Sequence, residues 1–150
     1  MNTIFELQSD HPLFRYCTPE EREKIEAFAK VFHLEPGGLL IEASEHDSTL
    51  FAVEDGRLEV IVGQGDAVKT VASVGPGDVL GEVSFIDNSP RTVSVRAAEM
   101  CKVRAWNQKR LCDALNEDHT LLAKFTIALT ELLVERLRLS VARQGMVRPI

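Results

Sequence analysis

The sequence predicts a mainly β protein with flanking helices: a β jelly-roll, or double-stranded β-helix barrel, between an N-terminal helix and a long C-terminal helix. Three observations carry this. From Leu39 to Trp106 short apolar runs alternate with turn signals about every eight to twelve residues, the punctuation of a sandwich or barrel. Ahead of that stretch, Thr18-Pro19-Glu20-Glu21 has the form of a capped helix start. Behind it, residues 119–143 carry apolar side chains at alternating spacings of three and four.

Taken in order, His11-Pro12-Leu13-Phe14 forms a short apolar hook. Thr18 then caps a helix, Pro19 suits its first position and Glu21 closes a capping box. Ile25, Phe28, Ala29 and Phe32 recur at helical spacing and are expected to face a core, with Pro36-Gly37-Gly38 ending the helical part at about residue 36. The β-roll is assigned to 37–106, with strands at 39–41, 49–53, 57–62, 68–74, 92–96 and 102–106. Turns fall at Asp55-Gly56, Gly63-Gln64-Gly65 and Gly75-Pro76-Gly77-Asp78, and Asp55-Gly56 reads as a hairpin. Helices fill 107–143, capped by Asn107 and Asp118, and a tail of 144–150 follows.

The last helix carries Leu122, Phe125, Leu129, Leu132, Arg136 and Leu139 on one heptad-like seam. Such a seam suits packing along a second copy of the same helix, as in a homodimer; a monomer with the helix docked on its own domain is the competing arrangement. Leu133 and Leu137 lie beside the seam and are expected to turn back towards the barrel. A buried arginine needs an anion, an acceptor or a solvent gap, which makes Arg136 the odd member of the row.

The stretch from Val79 to Ala97 holds the residues with chemistry to offer. Gly81 has no Cβ to block a ligand's approach to the backbone. Residues 82–86 suit one helical turn, whose first N–H groups have no partner within the helix and favour an anion. Arg91 returns a guanidinium fork that fits phosphate oxygens, and the Glu82 carboxylate can accept from a ribose hydroxyl. A hairpin ion pair between Glu82 and Arg91, with Gly81 as a plain turn residue, is the simpler reading of the same residues.

With Leu80-Gly81-Glu82-Val83-Ser84-Phe85 followed by Pro90-Arg91-Thr92, this stretch resembles the phosphate-binding cassette of cyclic-nucleotide-binding domains, those of the catabolite-activator kind. Leu80 stands where the family usually has Phe. The likeness extends to the "LF…T-x-E-E…PG" opening, to Asp55-Gly56 and to Pro76-Gly77-Asp78, while Ala43-Ser44 and Ser48 depart from it. The resemblance implies that Gly81 and the Val83 and Ser84 backbone line a cyclic phosphate, that Glu82 holds the ribose 2′-hydroxyl and that Arg91 pairs with the phosphate. Thr92 would add a hydroxyl, with Leu80, Pro90 and Val93 completing the site and Arg136 near the purine, stacked on or hydrogen-bonded to it. The alternative for Arg136 is solvent or Glu135 of a second subunit. The implied ligand is cyclic AMP rather than cyclic GMP, although Thr92 keeps the guanine nucleotide in view and a cyclic dinucleotide is conceivable. Relatives that regulate transcription continue into a helix-turn-helix domain, and its absence here leads to an expectation of no direct DNA binding by a stand-alone sensor module or a fragment.

Composition narrows the remaining classes. With 150 residues one domain is expected, and a net charge of −6 disfavours broad attraction to nucleic acid or an anionic membrane. Three cysteines without paired spacing suggest neither a disulfide framework nor a zinc site, so a cytoplasmic setting is expected. His11, His33, His46 and His119 are scattered, which leaves a cupin-like metalloenzyme without ligands. No catalytic residue, metal or cofactor is therefore expected. The functional expectation is a sensor that relays ligand state through its last helix to a protein partner. The alternative is the same fold without a ligand, serving as an interaction module.

Overall fold

The computed structural model of the protein describes residues 11–144, so the N-terminal ten residues and the expected tail after Gln144 lie outside it. A 3-10 turn at Pro12–Phe14 leads to α1 (Pro19–Ala27), β1 (Lys30–Leu34), β2 (Leu39–Ile41), β3 (Thr49–Asp55), β4 (Leu58–Val62), β5 (Lys69–Val74) and β6 (Val79–Leu80). After these come α2 (Glu82–Asp87), β7 (Ser94–Ala97), β8 (Cys101–Asn107), α3 (Gln108–Ala114) and α4 (His119–Gln144). The strands form two four-stranded antiparallel sheets, ordered β1-β8-β3-β6 and β2-β7-β4-β5. This is the expected mainly β jelly-roll with helices on either side.

Local chemistry sets the helix starts. Thr18 accepts from the Glu21 N–H at 3.1 Å while Glu21 accepts from the Thr18 N–H at 2.9 Å. Asn107 and Asp118 accept from the third N–H of α3 and α4 respectively, each at 3.1 Å. Each cap satisfies a backbone donor that would otherwise lack a partner.

Three expectations need correction. The helical part does not run to residue 36: α1 stops at Ala27, and 30–34 form a strand paired along β8 from Lys30↔Ala105 to Leu34↔Cys101. Ile25 is fully buried, but Phe28 and Phe32 are 37% and 44% exposed. Apolar residues at helical spacing therefore proved a weaker constraint than long-range pairing of a β-branched and aromatic segment. Asp55-Gly56 is not a hairpin either, because β3 and β4 belong to different sheets. The turn is a corner that carries the chain from one sheet to the other. Gly56 has φ +88°, and a Cβ there would lie 2.3 Å from the Met100 carbonyl oxygen, so the corner requires glycine.

The third correction concerns α4. Phe125 and Leu129 of the expected seam are buried in the chain's own core, Leu122 and Leu132 pack partly against it, and Arg136 also turns inwards. Leu121 and Ala128 join them in burial. Leu139, by contrast, is 50% exposed. Phe125 and Leu129 of that row therefore dock on the domain itself. Leu133 and Leu137 are only half-buried, so the helix phase is rotated from the expected one.

The core has two parts. One lies between the sheets and is built from residues such as Phe51, Leu58, Val60, Leu80, Val95 and Val103. The other joins the helices to the barrel around Phe125, whose ring lies 5.9 Å from Trp106 and meets Phe85 edge-on at 6.5 Å. The Trp106 indole N–H donates to the Ile25 carbonyl at 3.0 Å. Through these rings α1, α2 and α4 share one apolar contact, and this fixes α2 relative to the barrel.

Ion pairs fasten the N-terminal helix to α4. Lys124 pairs with Glu21 at 2.8 Å, Lys24 pairs with Asp118 at 3.1 Å, and the Tyr16 hydroxyl donates to Glu131 at 2.6 Å. The hydrogen bond from Lys124 holds the Glu21 carboxyl below its ordinary value of 4.5, and that from Lys24 holds Asp118 below 3.8. A carboxylate whose pKa falls on folding adds stability that is complete above its unfolded value and vanishes as the pH drops through the folded one. Chemical denaturation should therefore show the protein weakening from about pH 5 to about pH 3. A Lys24→Met, Lys124→Met double variant should lose less over that interval, and equal losses would rule out these pairs as the cause.

Candidate functional site

The cassette begins where β6 ends. Gly81 has φ +82°, in the left-handed region, and turns the chain directly from the strand into α2. The space beside its Cα is taken by an arginine: a Cβ at 81 would lie 2.7 Å from Arg91 Nη1 and 2.7 Å from the Thr49 carbonyl oxygen. Arg91 is 5% exposed. Its Nη1 donates to the Gly81 carbonyl at 3.1 Å, its Nη2 donates to the Thr49 carbonyl at 2.7 Å, and Asp47 pairs with it at 3.5 Å. The Thr49 hydroxyl in turn donates to Asp47 at 2.6 Å and holds that carboxylate in place.

Arg91 Nε is buried and has no hydrogen-bond partner among the described residues. Burial lowers the guanidinium's pKa, whereas the charges of Asp47 and Glu82 act in the other direction. An arginine stays protonated under such opposing influences, so the site holds a fixed positive charge with a donor to spare. A buried charged donor left unpaired is costly, and an anion in the adjoining hollow would relieve that cost.

The hollow is walled by Gly81, Val83, Ser84, Pro90, Arg91, Thr92 and Val93, together with Ile41 from β2. Its free volume is about 10 Å3, room for roughly one water molecule. The first turn of α2 borders it and presents N–H groups that have no acceptor within the helix. Most of the residues expected from the sequence therefore converge here, and three do not. Leu80 is fully buried and packs in the core between the sheets, opposite Phe51, so it supports the site from behind. Glu82 is 2% exposed and is not part of the wall. Arg136 likewise lies outside the wall.

Those last two residues meet each other. Arg136 Nη1 is ion-paired with Glu82 Oε2, and Arg136 Nη2 donates to the Val79 carbonyl at 2.8 Å. Within the chain Arg136 binds the carboxylate of its own cassette and keeps 29% of its side chain exposed. Sequence reasoning missed Ile41, Asp47 and Thr49. Ile41 carried a signal as the inward member of an apolar run. Asp47 and Thr49 carried none, because their link to Arg91 depends on how β3 is placed across the barrel.

Among the described residues no three His, Cys, Asp or Glu side chains are placed to hold a metal ion, and no helix is long and apolar enough to cross a membrane. Cys17, Cys101 and Cys112 are free thiols.

Comparison with known proteins agrees with the geometry. Over 86 residues the chain is 31% identical to "Acetyltransferase Pat" of Mycolicibacterium smegmatis, covering 57% of this chain and 26% of that protein. It is 28% identical over 92 residues to a cAMP-dependent protein kinase regulatory subunit of Colletotrichum orbiculare, covering 61% of this chain and 23% of the relative. The chain thus spans about a quarter of the length of these relatives. A crystal structure of a cyclic nucleotide-binding domain from Methylobacillus flagellatus superimposes with a TM-score of 0.76 at 23% identity, covering 99% of this chain and 80% of that one, which establishes the shared fold. The family model described as "Cyclic nucleotide-binding domain" matches residues 31–118. With more than half of its length matched, and with the cassette inside the matched region, the chain belongs to the cyclic nucleotide-binding domain family.

Proposed function

We propose that the protein is a regulatory module that binds a 3′,5′-cyclic purine mononucleotide, cyclic AMP in preference to cyclic GMP, and acts on another protein through α4. The observation that carries this reading is the buried Arg91 guanidinium, with its unpartnered Nε beside a hollow bordered by the first turn of α2. The cyclic phosphate would take that Nε–H and the α2 backbone N–H groups, and Thr92, at the exposed edge, would face the base. Glu82 would accept from the ribose hydroxyl once Arg136 has moved. A ligand moves α4 only by binding more tightly to one of its positions than to the other. The small hollow and the engaged Glu82 favour a second reading, in which the fold keeps its shape without a ligand and serves protein interaction alone.

Calorimetric titration separates the two readings. Cyclic AMP should bind with measurable heat and cyclic GMP more weakly, whereas no heat from either at millimolar ligand would leave only the interaction module. Arg91→Ala should weaken cyclic AMP binding by about 1.5–3 kcal/mol, the range for loss of a hydrogen bond to a charged group. Unchanged affinity would move the phosphate away from this arginine.

The relay also needs a surface. Ile127, Val134 and Val141 are 53%, 39% and 53% exposed, seven residues apart, on the side of α4 opposite Phe125 and Leu129. We infer that this stripe, and not the row expected from the sequence, pairs with a second copy of α4 in a homodimer. Sedimentation should show a dimer for the native chain and a monomer for Ile127→Asp, Val134→Asp. A native monomer at high concentration would leave the stripe to a different protein.

A further inference from the structure

We propose that Arg136 is a built-in competitor for the ribose seat, so that the nucleotide must displace it from Glu82 and thereby frees the outer half of α4. The inference rests on the cyclic-nucleotide reading above and goes further, since it gives Arg136 a role opposed to the ligand instead of a contact with the purine.

Two observations point to it. Glu82 is the residue expected to receive the ribose hydroxyl, and Arg136, 54 positions further along the chain, is ion-paired with its carboxylate. The same guanidinium also donates to the Val79 carbonyl at 2.8 Å, so the fork clasps both ends of the short link from β6 into α2.

Burial explains why the competition is strong. A carboxylate at 2% exposure must have a partner, and a cation with two fixed donors is a better one than a neutral hydroxyl. Arg136 itself keeps 29% of its side chain exposed, so it can return to water when it is displaced. The cost of exchange therefore falls on Glu82, and the phosphate contacts at Arg91 must supply what the ribose contact lacks.

The position on α4 gives the exchange a mechanical result. Among the described residues Leu129 is the last fully buried one of the helix, and Arg136 lies about two turns beyond it. Further out, Leu139 and Val141 are 50% and 53% exposed. The clasp is thus what ties the outer part of the helix to the cassette, and its release would alter that part while Phe125 stays packed.

Two measurements on the full chain test this. In the first, backbone hydrogen exchange over residues 133–142 is followed without nucleotide in the native protein, in Arg136→Gln and in Glu82→Gln. Both variants should exchange faster there and alike, with α1 and β8 unchanged as evidence of intact folding; native-like exchange in Arg136→Gln would overturn the proposal. In the second, cyclic AMP affinity is measured by calorimetry. If the clasp is closed in about nine-tenths of the molecules, Arg136→Gln should bind about tenfold more tightly, because the apparent affinity rises with the fraction of competent protein. Arg136→Lys, which keeps the charge but loses the fork, should fall between the two. Weaker binding by Arg136→Gln would make the arginine a ligand contact and overturn the competition while leaving the proposed function intact. Failure of every form, native included, to bind cyclic AMP or cyclic GMP would overturn both.

Discussion

The site depends on a bare Cα at position 81. The Arg91 guanidinium is packed against Gly81 so closely that a Cβ there would come within 2.7 Å of both Nη1 and the Thr49 carbonyl. Only with that space free can the arginine lie beneath the strand-to-helix turn and bond two backbone carbonyls from different parts of the barrel. The rest of the local arrangement follows from this. The turn places α2, α2 places Glu82, and the buried charge beside the hollow keeps one donor, Nε, without a partner among the described residues.

A buried arginine and a buried glutamate so close together would ordinarily pair with each other. Here each also has a partner of its own. Arg91 is held by two carbonyls and Asp47, and Glu82 by Arg136. These pairings keep a positive charge at Arg91 and a carboxylate at Glu82, the polarity that the proposed nucleotide would require. They also mean that the two ends differ in readiness. Arg91 is already set, with a donor in hand, whereas Glu82 is engaged by a residue from a distant helix.

That asymmetry gives α4 its place in the protein. Its first half is part of the core through Leu121, Phe125 and Leu129, and it is fastened to the N-terminal helix by Lys124 and Asp118. Its second half meets the domain mainly through half-buried side chains and Arg136. The helix therefore combines a fixed root with an outer part whose position depends on the cassette. Phe85 and Trp106, packed on Phe125, give the root and α2 a common support.

Much of this was legible in the sequence because it depends on local chemistry. The capping box at Thr18, the caps at Asn107 and Asp118, most of the short strands, and the spacing of Gly81, Glu82 and Arg91 are features of a few neighbouring residues, and such features survive whatever the rest of the chain does. Only the tertiary structure decided the others. Segment 30–34 became a strand because β8 was there to pair with it, and Asp55-Gly56 became a corner because β3 and β4 found partners in separate sheets. The apolar row on α4 turned inwards because the barrel offered Trp106 and Phe85 to cover, a choice its spacing alone could not specify. Asp47 and Arg136 gained their partners in the same way. An ion pair across 44 or 54 residues leaves no periodic trace, since nothing but the path of the folded backbone brings its two charges together.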